Sequence, residues 1–127
     1  AIFCQRIIKD TPLTVFGDGG QTRDYVYVGD VARAHVLAAN HPGIPAGKVD
    51  DRAFNLGTGV ETSVIELAES MFKAAGKRVE LQNAPHRPGE QRRSVVSIAK
   101  AAAGLGWTPQ VALDEGVAAT YAWFANR

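Results

Sequence analysis

Ala53-Phe54-Asn55-Leu56-Gly57-Thr58-Gly59-Val60-Glu61-Thr62-Ser63-Val64-Ile65-Glu66-Leu67-Ala68-Glu69-Ser70-Met71-Phe72-Lys73-Ala74-Ala75-Gly76 carries three structural signals in succession. Ala53 to Leu56 reads as a short strand and Gly57-Thr58-Gly59 as a tight turn. Val64, Leu67, Ala68, Met71, Phe72 and Ala75 then recur at the i, i+3, i+4 spacing that lines one face of a helix. Ser63 and Glu66 stand where a capping box belongs, and Gly76 where a left-handed C-cap ends the helix. Val79 to Leu81 is apolar enough for a further strand. A strand, a glycine turn, a helix and a strand make the chain α/β.

The same stretch imitates a dinucleotide-binding turn, in which glycines let a pyrophosphate reach a helix N-terminus and an acid about twenty residues on holds the ribose. Glu80 stands near that distance, but Thr62 occupies the position of the third glycine. A strand-to-helix turn with no ligand reads equally well.

Downstream, Pro85 to Arg93 is a basic loop stiffened by Pro88 and bent at Gly89, and it carries Arg87, Arg92 and Arg93. Such a loop pre-organises cations for an anionic ligand, and Glu90 adds an acceptor suited to sugar hydroxyls. A solvated basic loop or a patch for nucleic-acid phosphates are the competing readings, the latter disfavoured by the scarcity of aromatics for base stacking. Ser97 is placed to cap a short helix to Ala103, Gly104 to Pro109 turns the chain, and a last helix runs from Asp114 to Phe124. Trp107, Trp123, Tyr121 and Phe124 read as core aromatics.

Upstream, Ala1 to Lys9 has helical spacing, with Phe3 and Ile7, and Cys4 and Ile8, stacked. No capping residue precedes Ala1, which suggests a piece of something larger. Leu13 to Phe16 reads as a strand, Gly17-Asp18-Gly19-Gly20 as a turn, and Tyr25 to Val28 as a second strand. Arg23 at that strand's entrance could grip a phosphate bidentately, or form a surface pair with Asp24. Asp30 is placed to cap a helix through Asn40, with Val31, Ala34, His35 and Ala38 on one face and His41-Pro42-Gly43 closing it. Gly43 to Arg52 reads as a loop. His35 reads as a core or edge histidine, and Cys4 as a small apolar residue without a basic partner.

Composition narrows the classes. The chain has 127 residues, 46% hydrophobic and 21% charged, with a formal net charge of +1. That is enough for one domain with its own core and too even a balance for nucleic-acid binding by bulk charge. One cysteine excludes an intrachain disulfide, and His35, His41 and His86 share no metal-ligand spacing. No apolar run reaches the ~20 residues that span a bilayer. The expectation is a cytoplasmic protein with a single unit over residues 1–127, no nucleic acid and no membrane.

In order along the chain, Pro12-Leu13-Thr14-Val15-Phe16-Gly17-Asp18-Gly19, Arg23-Asp24-Tyr25-Val26-Tyr27-Val28 with Asp30-Val31-Ala32, Phe54-Asn55-Leu56-Gly57-Thr58-Gly59, Arg87-Pro88-Gly89-Glu90 and Leu105-Gly106-Trp107-Thr108-Pro109 before Glu115-Gly116 resemble one family. It is the extended short-chain dehydrogenase/reductase family, in the C-terminal part of its NAD-dependent nucleotide-sugar epimerases and dehydratases, and nearest its UDP-sugar 4-epimerases. The resemblance covers nearly the whole chain. It implies the substrate-binding portion of such an enzyme, short strands with packed helices, with the Rossmann domain that binds NAD elsewhere.

It further implies that Arg23 and Arg87 hold the diphosphate of a UDP-sugar, Glu90 the ribose, and Thr14 and Phe16 the uracil. The Gly57 turn, on this resemblance, is the end of a sheet strand. In such enzymes NAD oxidises the sugar hydroxyl at carbon 4 and returns the hydride to the opposite face. The family's catalytic Tyr-x-x-x-Lys is not found: Tyr25, Tyr27 and Tyr121 are followed four positions on by Gly29, Val31 and Ala125. Gly29 and Ser97 also stand where the family more often has charged or acidic residues. The chain alone is therefore expected to lack epimerase activity. A UDP-glucose/UDP-galactose type of 4-epimerase is the favoured parent. A nucleotide-sugar 4,6-dehydratase or decarboxylase, a non-catalytic nucleotide-sugar binding module, or a small basic nucleic-acid binder are the alternatives. Apolar faces on the helices at Ala1 and Asp30 and on the strand 53–56 are expected to drive self-association or a homodimer.

Overall fold

A computed structural model describes residues 1–43 and 47–127. Helix α1 (Ile2–Ile8) leads to strand β1 (Leu13–Phe16), the two-residue strand β2 (Thr22–Arg23) and helix α2 (Val28–Ala39). A 3-10 turn at Val49–Arg52 precedes β3 (Thr62–Ser63), α3 (Val64–Ala75), β4 (Leu81–Ala84), α4 (Ala99–Leu105) and α5 (Leu113–Ala125). β1 and β4 run parallel, Leu13 opposite Leu81 through Phe16 opposite Ala84. β2 and β3 are antiparallel, with Arg23 opposite Thr62. The mixture of short strands and packed helices is the expected α/β class.

Helix α3 forms where its spacing places it. The Ser63 hydroxyl accepts from the Glu66 amide at 3.1 Å, and the Glu66 carboxylate accepts from the Ser63 amide at 2.7 Å, so two otherwise orphaned donors are satisfied. Gly76 closes the helix at φ 64°, a conformation that a Cβ disfavours. The apolar face of α3 meets α1, β1 and α5 in one core of Cys4, Ile7, Leu13, Ala68, Met71, Phe72 and Val117. Each large side chain so buried stabilises the fold by roughly 1.5–3 kcal/mol. Burial also pushes the Cys4 thiol pKa up, as befits an apolar role.

A second core joins α2 and α4 through Ala34, Ala101, Leu105 and Trp107. Trp107 is fully buried, and its indole N–H donates to the Asp30 carbonyl at 2.8 Å. Asp30 itself is buried. Burial pushes its carboxyl pKa up, but the amides of Val111 and Gln110 and the Arg33 guanidinium outweigh burial and hold it down.

Several expectations are corrected. Asp30 is not the cap of α2: the helix starts at Val28 after Tyr27, and the Asp30 carboxylate turns to the 110–111 backbone instead. Residues 25–28 and 53–56 alternate like strands, but among the described residues they pair with no other segment. Phe54 and Leu56 pack against the second core, so those two side chains face inward, while Ala53 is exposed. Ile2 and Val36, by contrast, are exposed on α1 and α2 as expected. The strand placed at Val79–Leu81 begins at Leu81. The helix placed after Ser97 begins at Ala99, with no side-chain cap. The loop 43–52 contains the 3-10 turn, and its residues 44–46 lie outside the described residues. Of the aromatics, Tyr121 and Phe124 are half-buried against the first core, but Trp123 is 51% exposed. His35 is exposed, its Nδ1 2.8 Å from the Val31 carbonyl.

Candidate functional site

Strand alternation sets the first part of the site. Leu13 and Val15 point into the core, which leaves Thr14 and Phe16 on the opposite, half-buried face of β1. The turn that follows needs glycine. Gly19 has φ 71°, and a Cβ there would lie 2.7 Å from Ile65 and Val15 side-chain atoms. Asp18 closes the turn by accepting from the Gly20 amide at 2.9 Å, and the buried Gln21 donates to the Phe16 carbonyl at 3.2 Å.

Arg23 leaves β2 already anchored. Its Nη1 donates to the carbonyls of Thr22 at 2.7 Å and Gln91 at 2.8 Å, and its Nη2 lies 3.5 Å from Glu90 Oε1. The second oxygen of Glu90, Oε2, is buried and has no hydrogen-bond partner among the described residues. A buried acceptor in that state costs about 1–3 kcal/mol, which a ligand donor would recover. Glu90 is one turn from Arg87, its amide donating to the Arg87 carbonyl at 3.2 Å. The Arg87 guanidinium lies 3.7 Å above the centre of the Phe16 ring. Phe16, Arg23, Arg87 and Glu90 are thus linked through two contacts and one turn, with Thr14 on the same face of β1.

The other two arginines of the loop are engaged elsewhere. Arg92 makes a bidentate pair with Asp18 at 2.6 and 2.9 Å. Arg93 makes one with Glu61 at 2.7 to 3.1 Å, and Glu61 also accepts from the Thr22 hydroxyl at 3.0 Å. The hydrogen-bonded guanidiniums hold both carboxyl pKa values low. Among the described residues Arg87 has no ion pair. Sequence reading placed all three arginines together as cations; the carboxylates that divide them, Asp18 and Glu61, went unmarked.

The alternative reading of Arg23, a surface pair with Asp24, does not hold: among the described residues the two make no ion pair. Asp24 Oδ1 instead accepts from the Thr58 amide at 2.6 Å and hydroxyl at 2.7 Å, and Oδ2 from the Gly59 amide at 3.0 Å. Gly57 is required because a Cβ there would sit 2.4 Å from Asp24 Oδ2. These amides are the donors that a pyrophosphate would need, and an internal carboxylate holds them. The Gly57 turn therefore does not fit NAD.

A groove of about 690 Å³ lies along α3 and the start of α5 and shares no residue with the arginine site. Its cations are paired, Lys73 with Asp114, Lys77 with Asp10 and Arg78 with Glu69. No cluster of histidine, cysteine and carboxylates suited to a metal occurs among the described residues. No described helix is long and apolar enough to cross a membrane.

A sequence model described as GDP-mannose 4,6 dehydratase matches residues 2–120. The chain belongs to this family. A UDP-glucose 4-epimerase of Mycolicibacterium smegmatis is 45% identical over 127 residues, covering 100% of this chain and 39% of that protein. The crystal structure of a Thermotoga maritima UDP-glucose 4-epimerase with UDP-glucose superposes with a TM-score of 0.87 at 38% identity, over 98% of this chain and 38% of that one. A Thermus thermophilus UDP-glucose 4-epimerase complexed with NAD gives 0.83 at 42% identity, over 97% and 38%. The chain thus spans less than half the length of the relatives it matches. These likenesses bear out the resemblance to extended short-chain dehydrogenase/reductase epimerases.

Proposed function

We propose that residues 1–127 form one unit that holds the nucleotide part of a UDP-sugar for an NAD-dependent 4-epimerase of the UDP-glucose/UDP-galactose type. Arg87 carries this reading: among the described residues it is the arginine of the basic loop left without a carboxylate, and it sits on the aromatic ring that resemblance assigns to the base. Arg87 and Arg23 would bind the diphosphate, the free oxygen of Glu90 would accept from a ribose hydroxyl, and Phe16 with Thr14 would border the uracil. This grip orients the sugar, and orientation accounts for much of the rate gain in such reactions. NAD would be held by residues outside this chain, since the Gly57 turn does not fit it. The chain alone is inactive on this reading, and turnover of UDP-glucose with added NAD would refute that part.

The protein is proposed to be cytoplasmic and to self-associate through exposed apolar residues such as Ile2 and Val36. The description of the matching family as a dehydratase favours a second reading, a nucleotide-sugar 4,6-dehydratase or decarboxylase using the same arginines. Calorimetric titration of the chain with UDP, uridine and a short single-stranded oligonucleotide tests the grip. UDP is expected to bind, uridine more weakly for want of the diphosphate, and the oligonucleotide least. An oligonucleotide that outcompetes UDP would overturn the proposal.

A further inference from the structure

We propose that Asp24 is a positioning residue for the substrate grip: its carboxylate ties the strand bearing Arg23 to the Gly57 turn and to the chain just beyond the arginine loop. The inference rests on the nucleotide-sugar reading for its ligand, but its geometry is independent of that reading.

The strand that carries Arg23 is poorly held by its own ladder, which is only two residues long and pairs Thr22 with Ser63 and Arg23 with Thr62. One residue on, Asp24 adds four donors from two distant segments. Thr58 gives its amide at 2.6 Å and its hydroxyl at 2.7 Å, Gly59 its amide at 3.0 Å, and Val96 its amide at 3.5 Å. Burial pushes the Asp24 carboxyl pKa up, but these hydrogen bonds hold it below the ordinary value, so the acceptor stays ionised at neutral pH. Arg23 in turn reaches Gln91 and Glu90 on the arginine loop. Asp24 and Arg23 therefore clamp that loop at two points, Val96 behind it and Gln91 within it. Asp24 makes no ion pair among the described residues, and its charge is spent on backbone and hydroxyl donors. Removing it frees the donors of the 58–59 turn and loosens β2, and Arg23 loses the frame that aims its guanidinium. Gly57 belongs to the same device, because any side chain there would displace the carboxylate.

The test uses the 127-residue chain with Asp24→Asn, Arg23→Ala, the double variant, and Thr58→Val, which removes one donor and keeps the charge. UDP affinity is read by calorimetry, and the Arg23 side-chain Nε–H by NMR without ligand. Asp24→Asn is expected to weaken UDP about tenfold and Thr58→Val by a smaller factor, while Asp24→Asn adds less than about twofold once Arg23 is already alanine. In free protein the Arg23 Nε–H signal is expected to broaden or exchange faster in Asp24→Asn. A merely structural Asp24 would lower the melting temperature yet leave UDP affinity unchanged, or cost the same factor in both backgrounds, and either result overturns the proposal. If the parent chain binds no UDP, the nucleotide-sugar reading falls, and the NMR signal alone decides: unchanged in Asp24→Asn, it overturns the positioning role.

Discussion

Alanine substitution of the three loop arginines, one at a time, should separate them sharply. Arg87 has no ion pair among the described residues, and its guanidinium rests 3.7 Å from the centre of the Phe16 ring. Truncation strands no carboxylate, and the cation–π attraction it removes is worth ~0.5–1 kcal/mol at an exposed site. The melting temperature of Arg87→Ala should therefore fall by no more than about 5 °C. Its effect on UDP is larger, since a charge-assisted bond to phosphate is worth ~1.5–3 kcal/mol, or about 10- to 150-fold in Kd. Arg92 and Arg93 are bidentate to Asp18 and Glu61, so each guanidinium already has a carboxylate partner that a ligand would have to displace. Arg92→Ala and Arg93→Ala should leave UDP affinity within about threefold of the parent at physiological salt. Calorimetric titration with UDP, paired with thermal melts, reads both quantities. Equal losses for all three variants would mean that the loop acts as a diffuse basic field. No loss in Arg87→Ala would remove the diphosphate assignment.

Gly57→Ala, whose new methyl would lie 2.4 Å from Asp24 Oδ2 and 2.5 Å from Val96 Cγ2, should destabilise the fold by ~1–3 kcal/mol in urea denaturation; an unchanged midpoint would show that the turn can yield. Trp107→Phe loses both buried volume and the 2.8 Å bond to the Asp30 carbonyl, and should lower stability by ~2–4 kcal/mol in the same assay. Asp24 and Asp30 both have folded pKa values below the ordinary 3.8. Their stabilisation is complete above that value and is lost as pH falls through the lower folded one, so Asp30→Asn should show a shallower stability loss than the parent between about pH 5 and pH 2. Parallel acid limbs for the two proteins would refute the linkage. Ser63→Ala should cost α3 ~1 kcal/mol through its lost N-cap, measured by the same denaturation, and no change would mean that Glu66 alone suffices.

Helix α3 was legible because every signal that makes it lies within a few residues: a capping box, an apolar stripe and a left-handed glycine. Strand β1 was legible for the same local reason; that Thr14 and Phe16 lie opposite the core is read from its burial pattern. The segments at 25–28 and 53–56 misled because alternation describes a face and not a partner. Asp30 misled because its side chain could serve the local helix or a distant backbone, and the 110–111 amides won it.

The site divides along the same line. Residue types and order were enough to identify the family and to nominate Thr14, Phe16, Arg23, Arg87 and Glu90 as the proposed grip, because a family motif and a cation near a stiff glycine-proline bend are properties of adjacent residues. Sequence could not say that Asp18 takes Arg92, that Glu61 takes Arg93, that Asp24 fills the amides of the Gly57 turn, or that Glu90 keeps one buried oxygen free. The three contacts join groups separated by dozens of residues, and the free oxygen is set by what packs around it. Charge pairing and burial fall off within a few ångströms, so only the folded backbone decides which opposite charges meet and which cation is left without a carboxylate among the described residues.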